Sequence, residues 1–221
     1  MESPFIIIHY FPEDIMKKLL FLALTIAMAA TGANASVRFG GGTHAGLSFG
    51  NFPEPLNQFY GMGYGFGLNG DVDIIPALAL RLNLDYSRFG SDKDKLRGLF
   101  SVTDAQGNPL PFDATGLDAS IFSGTANAIG RIPTGSAVRP YGIFGLGLYV
   151  LKASDLKVTS SGQTLLEQPV ADAITRFGLN LGAGTEFLVG PTRLFVEAKY
   201  VMIFTDDSTT GNIPITVGVA F

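Results

Sequence analysis

Cysteine and tryptophan are both absent from the sequence, and charged residues are scarce. Without cysteine the chain has no disulfides, no thiol nucleophile and no thiolate metal site. Only 15% of the residues are charged and the net charge is −4, which argues against nucleic acid as a partner. No run of about 18 to 20 apolar residues is present, so the sequence contains no candidate membrane-spanning helix.

The residues that are abundant favour strands over helices. Glycine occurs 28 times, aromatic residues make up 11% of the chain, and apolar residues tend to occupy every second position. The mean hydropathy of +0.31 is nevertheless high for a soluble protein. A membrane β-barrel reconciles these properties, because its lipid-facing residues are spread over alternate positions of many strands.

The N-terminal region has the pattern of a secretory signal peptide. Lys17 and Lys18 follow Met16, an apolar segment covers residues 19–30, and an A-x-A cleavage site ends at Ala35. A genuine N-terminal anchor is the alternative, but this apolar segment is too short to span a bilayer. We therefore predict a misassigned start or unstructured leader at residues 1–15, a signal peptide at residues 16–35 cleaved between Ala35 and Ser36, and a mature domain at residues 36–221.

Apolar alternation predicts eight strands in the mature chain, each with an apolar face turned outward and a small or polar face turned inward. The clearest strand carries leucine at every second position from Leu78 to Leu84, and the strand before it places Tyr60 and Met62 outward. The pattern does not fix the faces of residues 119–132. The predicted strands cover residues 37–50, 60–69, 78–87, 119–132, 141–150, 176–187, 193–202 and 213–221.

The connections between these strands alternate in length. Short turns are predicted at residues 73–76, 133–137 and 190–191, whereas residues 90–118 and 152–172 form long polar loops. Short periplasmic turns and longer outside loops are typical of outer-membrane barrels with an even number of strands. Closure of such a barrel leaves no unpaired strand edge in the lipid.

Several charged residues fall on the predicted inward face. An eight-stranded interior is just wide enough for side chains to fill it, and buried charges there must pair. We therefore predict a structural ion-pair network in the lumen, with a narrow ion pathway as the functional alternative. The predicted members of the ion-pair network are Arg81, Asp85, Arg176, Glu186, Arg193, Glu197 and Lys199.

Other candidate chemistry is sparse. His44 is the only histidine of the predicted mature chain, and Ser48 lies too far along the same strand face for direct contact, so no nucleophilic triad is indicated. The acidic residues Asp92, Asp94, Asp206 and Asp207 are expected to be solvated loop charges, with divalent-cation binding as the alternative. The basic residues Lys93, Lys95 and Arg97 are likewise expected to be solvated loop charges, with contacts to lipid phosphates as the alternative. We predict no catalytic residue, no cofactor and no metal site.

Three further features accompany the signal peptide: the segments Arg139–Gly147 (RPYGIFGLG) and Gly178–Phe187 (GLNLGAGTEF), and the terminal Phe221. Together with it they make residues 36–221 resemble the small OmpA- and OmpX-like barrels, the outer membrane protein β-barrel domain group. The resemblance implies an all-β, eight-stranded, antiparallel up-and-down transmembrane barrel. It also implies that Val217, Val219 and Phe221 of the last strand are the signal for the barrel-insertion machinery.

This fold hosts structural proteins, adhesins, narrow pores and a few lipid A-modifying enzymes, so it does not fix function. We predict a non-enzymatic, monomeric protein with a structural or surface-interaction role through its two long loops, in contact with outer-membrane lipid and lipopolysaccharide. A small-solute or ion channel and a lipid A-modifying hydrolase are the alternatives. A soluble lipocalin-like barrel is disfavoured, because such a barrel would place its apolar face inside.

Overall fold

The computed structural model describes residues 38–52, 59–97, 112–160, 163–168, 172–205 and 209–221. The predicted leader, the predicted signal peptide and its cleavage position at Ala35 and Ser36 lie outside the described residues, and so does the predicted loop pair Asp206 and Asp207. In the described part of the chain no helix is long and apolar enough to cross a membrane.

The described chain is built almost entirely of strands. In chain order the elements are β1 (Arg38–Asn51), β2 (Met62–Ile75), β3 (Leu78–Phe89), α1 (Lys93–Arg97), β4 (Asp113–Thr115), β5 (Ala119–Arg131), β6 (Val138–Ala153), β7 (Leu156–Ser160), β8 (Gln163–Gln168), β9 (Ile174–Val189), β10 (Thr192–Phe204) and β11 (Thr209–Ala220). Eight strands form a closed antiparallel barrel in the order β1-β2-β3-β5-β6-β9-β10-β11, with β11 paired back to β1. The predicted eight-stranded up-and-down barrel is confirmed.

The predicted inside-out pattern is also present. Along β3, Leu82 is 59% exposed on the outer surface, whereas its neighbour Arg81 is 1% exposed in the lumen. The same alternation places Phe66 and Leu68 of β2 and Val217 of β11 on the outside. Because successive strand residues point to opposite faces, this pattern produces an apolar outer surface around a largely polar interior.

Two details of β2 and its surroundings differ from the prediction. The strand continues to Ile75, beyond its predicted end at residue 69, so the turn before β3 contains only residues 76–77 rather than 73–76. Tyr60 does not face outward: its ring centroid lies 4.7 Å from that of Phe52, and its backbone bridges to Ser91. The alternation rule fails at Tyr60 because β2 begins only at Met62.

The structure fixes the faces of β5, which the sequence left open. Ile121 and Ile129 point into the lumen, whereas the outer face carries small residues such as Gly124 and Ala126 beside Phe122. With large apolar side chains on the inner face and small residues outside, apolarity does not separate the two faces of this strand.

The long connections lie together at one end of the barrel, which faces the outside in outer-membrane barrels. They contain a three-stranded antiparallel sheet in the order β4-β7-β8. Leu156 and Val158 of β7 are buried, whereas Leu165 and Leu166 of β8 are exposed. The segments predicted as polar surface loops therefore include an ordered sheet, which we call the extracellular sheet.

Side chains fill the two ends of the lumen. At the extracellular end, Phe52, Phe89, Ala119, Ile121, Tyr149, Val201 and Ile203 form an apolar cluster, which we call the extracellular plug. Near the short-turn end, Ala79, Ile129, Tyr141 and Ile143 form a second buried cluster. The charged residues of the lumen lie beside this second cluster.

Candidate functional site in the barrel lumen

Arg81 is the centre of the charged lumen. Asp71 of β2 is its direct cross-strand neighbour, and Arg81 Nε and Nη2 donate to the two Asp71 carboxylate oxygens at 2.7 and 3.1 Å. Arg81 Nη1 donates to Glu197 Oε2 at 3.2 Å, and the Tyr141 hydroxyl donates to the same oxygen at 2.8 Å. The guanidinium carbon also lies 4.9 Å from the Phe195 ring centroid. Arg81 therefore links the β2–β3 side of the barrel to β10.

Glu186 of β9 is a second centre, closer to the short-turn end. Arg131 Nε and Nη2 donate to its two carboxylate oxygens at 2.9 and 3.1 Å, and Arg131 Nη1 donates to Asp73 at 2.7 Å. Arg139 Nη2 lies 3.5 Å from Glu186 Oε2. Arg193 Nη2 donates to Asp71 at 3.0 Å, which connects this centre to the first one.

Lys199 extends the charged residues toward the middle of the barrel. Its ammonium group lies 3.3 Å from Glu197 Oε1 and 3.8 Å from Asp85 Oδ2. The other Asp85 oxygen is 2.7 Å from His44 Nε2. This side of the lumen therefore contains a chain of polar contacts from His44 to Glu197.

These contacts define a lumenal network with as many cations as anions. Its cations are Arg81, Arg131, Arg139, Arg193 and Lys199, and its anions are Asp71, Asp73, Asp85, Glu186 and Glu197. A buried charge is tolerated only when it is paired and hydrogen-bonded, so balanced numbers are a condition for filling the lumen with charges. The pairs join six of the eight barrel strands.

The network contains six of the seven residues that the sequence proposed for it. The seventh, Arg176, lies ten residues from Glu186 along β9, which corresponds to about 33 Å of extended strand. Arg176 Nη1 donates to the carbonyl of Thr175 at 3.2 Å, near the extracellular end. The structure therefore does not bring Arg176 to the lumenal network.

Four members of the network were missed by sequence reasoning: Asp71, Asp73, Arg131 and Arg139. The two aspartates occupy the same alternate, inward-facing positions of β2 as Gly67 and Asn69. The sequence prediction ended this strand at residue 69 and so left them out. Arg131 ends the strand whose faces the sequence left open. Arg139 lies two residues before Tyr141 and faces the same side of β6. A predicted strand that began before residue 141 would have identified Arg139.

A small polar chamber lies between the network and the extracellular plug. Its volume is about 40 Å³, which is enough for a few water molecules, and Asp85, Tyr149, Asn180 and Lys199 help to line it. Asn180 is 1% exposed, and in the described part of the chain neither atom of its side-chain amide has a hydrogen-bond partner. The chamber is therefore polar, narrow and enclosed by side chains at both ends.

The geometry does not assemble a nucleophilic triad around His44. Its Nε2 atom contacts Asp85, while the Ser48 hydroxyl accepts a hydrogen bond from Asn212 at 2.6 Å. Both His44 and Ser48 are buried in the lumen. An acyl chain of a membrane lipid would lie against the outer surface of the barrel, on the opposite side of the β1 backbone.

Asp118 anchors the long connections to the extracellular rim. Its carboxylate accepts hydrogen bonds from Arg88 Nη2 at 2.9 Å and from the Ser91 amide at 3.1 Å, and its amide donates to Ser154 Oγ at 2.9 Å. Burial alone would raise the pKa of the Asp118 carboxyl, but hydrogen bonds from Arg88 and Ser91 outweigh it and hold the pKa below its ordinary value. Leu117, beside it, has a positive φ of 58° and accepts a hydrogen bond from the Tyr60 hydroxyl at 2.6 Å.

The acidic residues around α1 have a local role. Asp92 Oδ1 accepts hydrogen bonds from the amides of Asp94 and Lys95 at 3.1 and 3.3 Å, which is a helix N-cap arrangement. Within the described ranges, no group of three or more histidine, cysteine, aspartate or glutamate residues has the geometry to hold a metal ion.

The sequence model for the outer membrane protein beta-barrel domain matches residues 19–221. No curated protein matches the chain. Among solved structures, Neisserial surface protein A is 19% identical, with a TM-score of 0.51 over 84% of this chain and 97% of that one. A major outer membrane protein from Thermus thermophilus is 13% identical, with a TM-score of 0.52 over 84% and 98% of the two chains. Ail from Yersinia pestis is 20% identical, with a TM-score of 0.44 over 82% and 98%.

The first two structures support the fold, since each is an outer-membrane protein that aligns over nearly its whole length. The family match covers all the described residues and agrees with the closed barrel and its apolar outer surface. This protein is therefore located in the bacterial outer membrane and belongs to the outer membrane protein beta-barrel domain family.

Proposed function

We propose that this protein is a non-enzymatic, monomeric outer-membrane barrel with a structural and surface-interaction role, in which the extracellular sheet is the interacting element. One observation carries the proposal: the long connections form an ordered sheet on the rim, above a lumen that is filled with side chains. A binding element needs defined geometry outside the membrane, whereas a transport element needs an open path through it.

The extracellular sheet has the features of a presented surface. Ser154, just before the β7–β8 hairpin, forms two hydrogen bonds with Asp118 at the rim. The Ser154 amide donates to the Asp118 carbonyl, and the Asp118 amide donates to Ser154 Oγ, at 2.9 Å each. Beyond this anchor, Leu165 and Leu166 expose apolar side chains on the two faces of β8. Exposed apolar side chains on a rigid strand suit protein contacts better than a flexible polar loop does.

Deletion of the hairpin tests this role. Residues 156–168 would be replaced by a short Gly-Ser linker, and barrel formation would be checked by heat-dependent gel mobility of the outer-membrane fraction. We expect cells that display the deletion variant to adhere less to one another and to immobilised extracellular-matrix proteins than cells with the full chain. A Leu165→Ser/Leu166→Ser variant should reduce adhesion in the same direction, whereas equal adhesion by all three would overturn the proposal.

Lipopolysaccharide contact is supported by a basic row on the outer face. Arg88, Ser120 and Lys152 are successive cross-strand neighbours on β3, β5 and β6, and Arg88 and Lys152 are both exposed. One outward position closer to the membrane centre, Phe122 lies between Tyr86 and Val150. Basic groups directly above an apolar row match the phosphates and acyl chains of an outer-leaflet lipid. Arg88→Gln/Lys152→Gln should weaken retention of lipopolysaccharide during purification.

The channel alternative predicts measurable conductance. Phe89 and Ile203 of the extracellular plug are fully buried, and Arg81 is held by two carboxylates in the lumenal network. We expect the reconstituted barrel to give no stepwise conductance in planar bilayers. Reproducible single-channel steps from the purified monomer would favour the pore instead.

The hydrolase alternative has its own test. The His44–Asp85 contact lies in the lumen, away from the lipid-facing surface. We expect lipid A from cells expressing the protein to have the same mass spectrum as lipid A from cells expressing a His44→Ala variant. Loss of acyl chains that depends on His44 would contradict the non-enzymatic proposal.

A further inference from the structure

The short-turn mouth of the barrel opens into a basin of about 600 Å³ with an unusual charge pattern. Among the residues that the structure describes, four arginines line it, and Asp73 is the only acidic side chain in its lining. The arginines are Arg38, Arg131, Arg139 and Arg193. In an outer-membrane barrel this mouth faces the periplasm, because the short turns and both chain ends lie there.

The carboxylates below the basin are already occupied. Arg131 takes both oxygens of Glu186 at 2.9 and 3.1 Å, which leaves Arg139 at 3.5 Å and Arg193 at 3.9 Å from the same carboxylate. The Asp71 carboxylate likewise accepts from Arg81 twice and from Arg193 once. More guanidinium donors than carboxylate acceptors therefore converge on this end of the lumen.

The guanidinium donors that lack an acceptor can be named. Arg139 Nε and Arg193 Nη1 are buried and, in the described part of the chain, have no hydrogen-bond partner; the nearest carboxylate oxygen to Arg193 Nη1 is Asp73 Oδ2, at 3.6 Å. Arginine cannot remove the problem by losing its proton, so an unsatisfied buried donor destabilises the folded barrel. Both residues also line the basin, so an anion placed there would meet the positive charge of both guanidinium groups.

We propose that the periplasmic basin is a binding site for a phosphate-bearing anion, held by Arg139 and Arg193 with Arg38 at its exposed edge. A phosphate group offers several acceptor oxygens in different directions and forms paired hydrogen bonds with planar guanidinium groups, which suits convergent arginines. A single carboxylate has only two oxygens to share among them.

Two sources can supply this group. One is the headgroup of an anionic phospholipid of the periplasmic leaflet, since the rim beside the basin carries Phe39 and Phe221, which are 76% and 69% exposed. The other is a soluble phosphate ester in the periplasm. The site concerns the opposite end of the barrel from the extracellular sheet, so it does not depend on the surface-interaction role.

The test uses the full mature barrel in an uncharged maltoside detergent, with backbone amide resonances as the readout. Inorganic phosphate and glycerophosphoglycerol would be titrated against sodium chloride at equal ionic strength. We expect saturable shifts at Gly40 and Gly190, which line the basin, and none at Gly116 near the other mouth. A second series compares nanodiscs that contain phosphatidylglycerol with nanodiscs of phosphatidylcholine alone.

Variants separate this site from general charge effects. Arg139→Gln should weaken the response at least tenfold, and Arg38→Gln should weaken it too. Arg38 is exposed and lies outside the lumenal network, so it keeps the test valid if Arg139→Gln does not fold. Arg176→Gln, which changes an arginine near the extracellular end of β9, is the matched control and should change nothing.

Each outcome decides the proposal. Saturable shifts with inorganic phosphate or glycerophosphoglycerol but none with phosphatidylglycerol nanodiscs identify a soluble ligand, whereas shifts in the phosphatidylglycerol nanodiscs identify the lipid headgroup. Sodium chloride shifts of the same size, equal loss in Arg176→Gln, or no saturable shift in either series would overturn the site.

Discussion

Asp71 and Arg81 face each other across β2 and β3, and Arg81 holds both oxygens of the Asp71 carboxylate while it also reaches Glu197. Replacing Arg81 by methionine removes one cation, so the buried Asp71 carboxylate loses two of its guanidinium hydrogen bonds and the buried Glu197 carboxylate loses one. Breaking a buried ion pair in this way typically costs about 3–5 kcal/mol. We expect Arg81→Met to lower the free energy of unfolding by this amount, measured by urea denaturation of the barrel in detergent.

Two controls accompany this prediction. Lys157→Met removes an exposed ion pair with Glu167 at 2.7 Å and should leave the unfolding midpoint unchanged, because solvent screens such pairs. Asp71→Leu combined with Arg81→Met removes both charges and should recover part of the lost stability. If the double variant loses as much stability as the two single variants together, or more, the pair is not coupled as described.

Gly46 lies where a side chain on the inner face of β1 has no room. An added Cβ would overlap the backbone oxygen of Ile215 and sit 2.7 Å from the Cα of Thr216, both on β11. Because backbone atoms cannot move aside as a flexible side chain can, Gly46→Ala should destabilise the barrel by about 1–3 kcal/mol. At Gly142 the same substitution meets nothing within 4 Å and serves as the control. Equal unfolding midpoints for the two variants would refute this account.

The anchor at Asp118 gives the extracellular rim a defined pH dependence. The pKa of this carboxyl is lowered from its ordinary value of 3.8 in the folded protein, because hydrogen bonds from Arg88 and Ser91 favour the charged form over the effect of burial. Its contribution to stability is therefore fully present above pH 3.8 and is lost as the pH falls through the lower, folded value.

This dependence can be measured at a single amide. The Ser91 amide donates to Asp118 at 3.1 Å, so its NMR resonance should titrate with a midpoint below 3.8. In Asp118→Asn that transition should disappear while the barrel resonances stay in place. A Ser91 midpoint above the ordinary carboxyl value would mean that the charged form is not the favoured one.

Phe221 should affect assembly in cells rather than the stability of the finished barrel. Its side chain is 69% exposed, and the backbone bonds of this residue with Gly41, at 2.9 Å in each direction, do not need the ring. We expect Phe221→Ala to reduce the amount of protein in the outer membrane, since an aromatic end is the predicted insertion signal. After refolding in detergent, the variant should unfold at the same urea concentration as the parent. A loss of stability in detergent equal to the loss in cells would argue against a targeting role.

The barrel itself was predictable because lipid on one side and a narrow lumen on the other force a period of two on every strand. The alternation from Leu78 to Leu84 shows this, and so do the apolar positions Val217 and Val219 of the last strand. The alternation is harder to recognise where the outward and inward residues of a strand do not differ in apolarity. Gly124 and Ala126 are small enough to face lipid without marking a face, so the orientation of β5 had to come from the structure.

Pairing in the lumen was less predictable, because it depends on strand ends and register. Asp73 was assigned to a turn, yet it accepts a hydrogen bond from Arg131 two strands away. No local pattern in the sequence encodes that separation. The extracellular sheet was missed for a different reason: β4 has only three residues, too few to show a period, and β7 has five.

The pairing of the first and last barrel strands, β1 and β11, has a consequence for the order in which the barrel folds. Gly42 pairs with Ala220, and Phe221 completes the ladder through Gly41. Closure of the barrel therefore involves the longest sequence separation among the strand pairs of the barrel. Contacts of such separation form slowly, so until they form both edges of the sheet stay open to mispairing. The β1–β11 seam is therefore the part of the barrel at which mispairing before closure is expected to be most frequent.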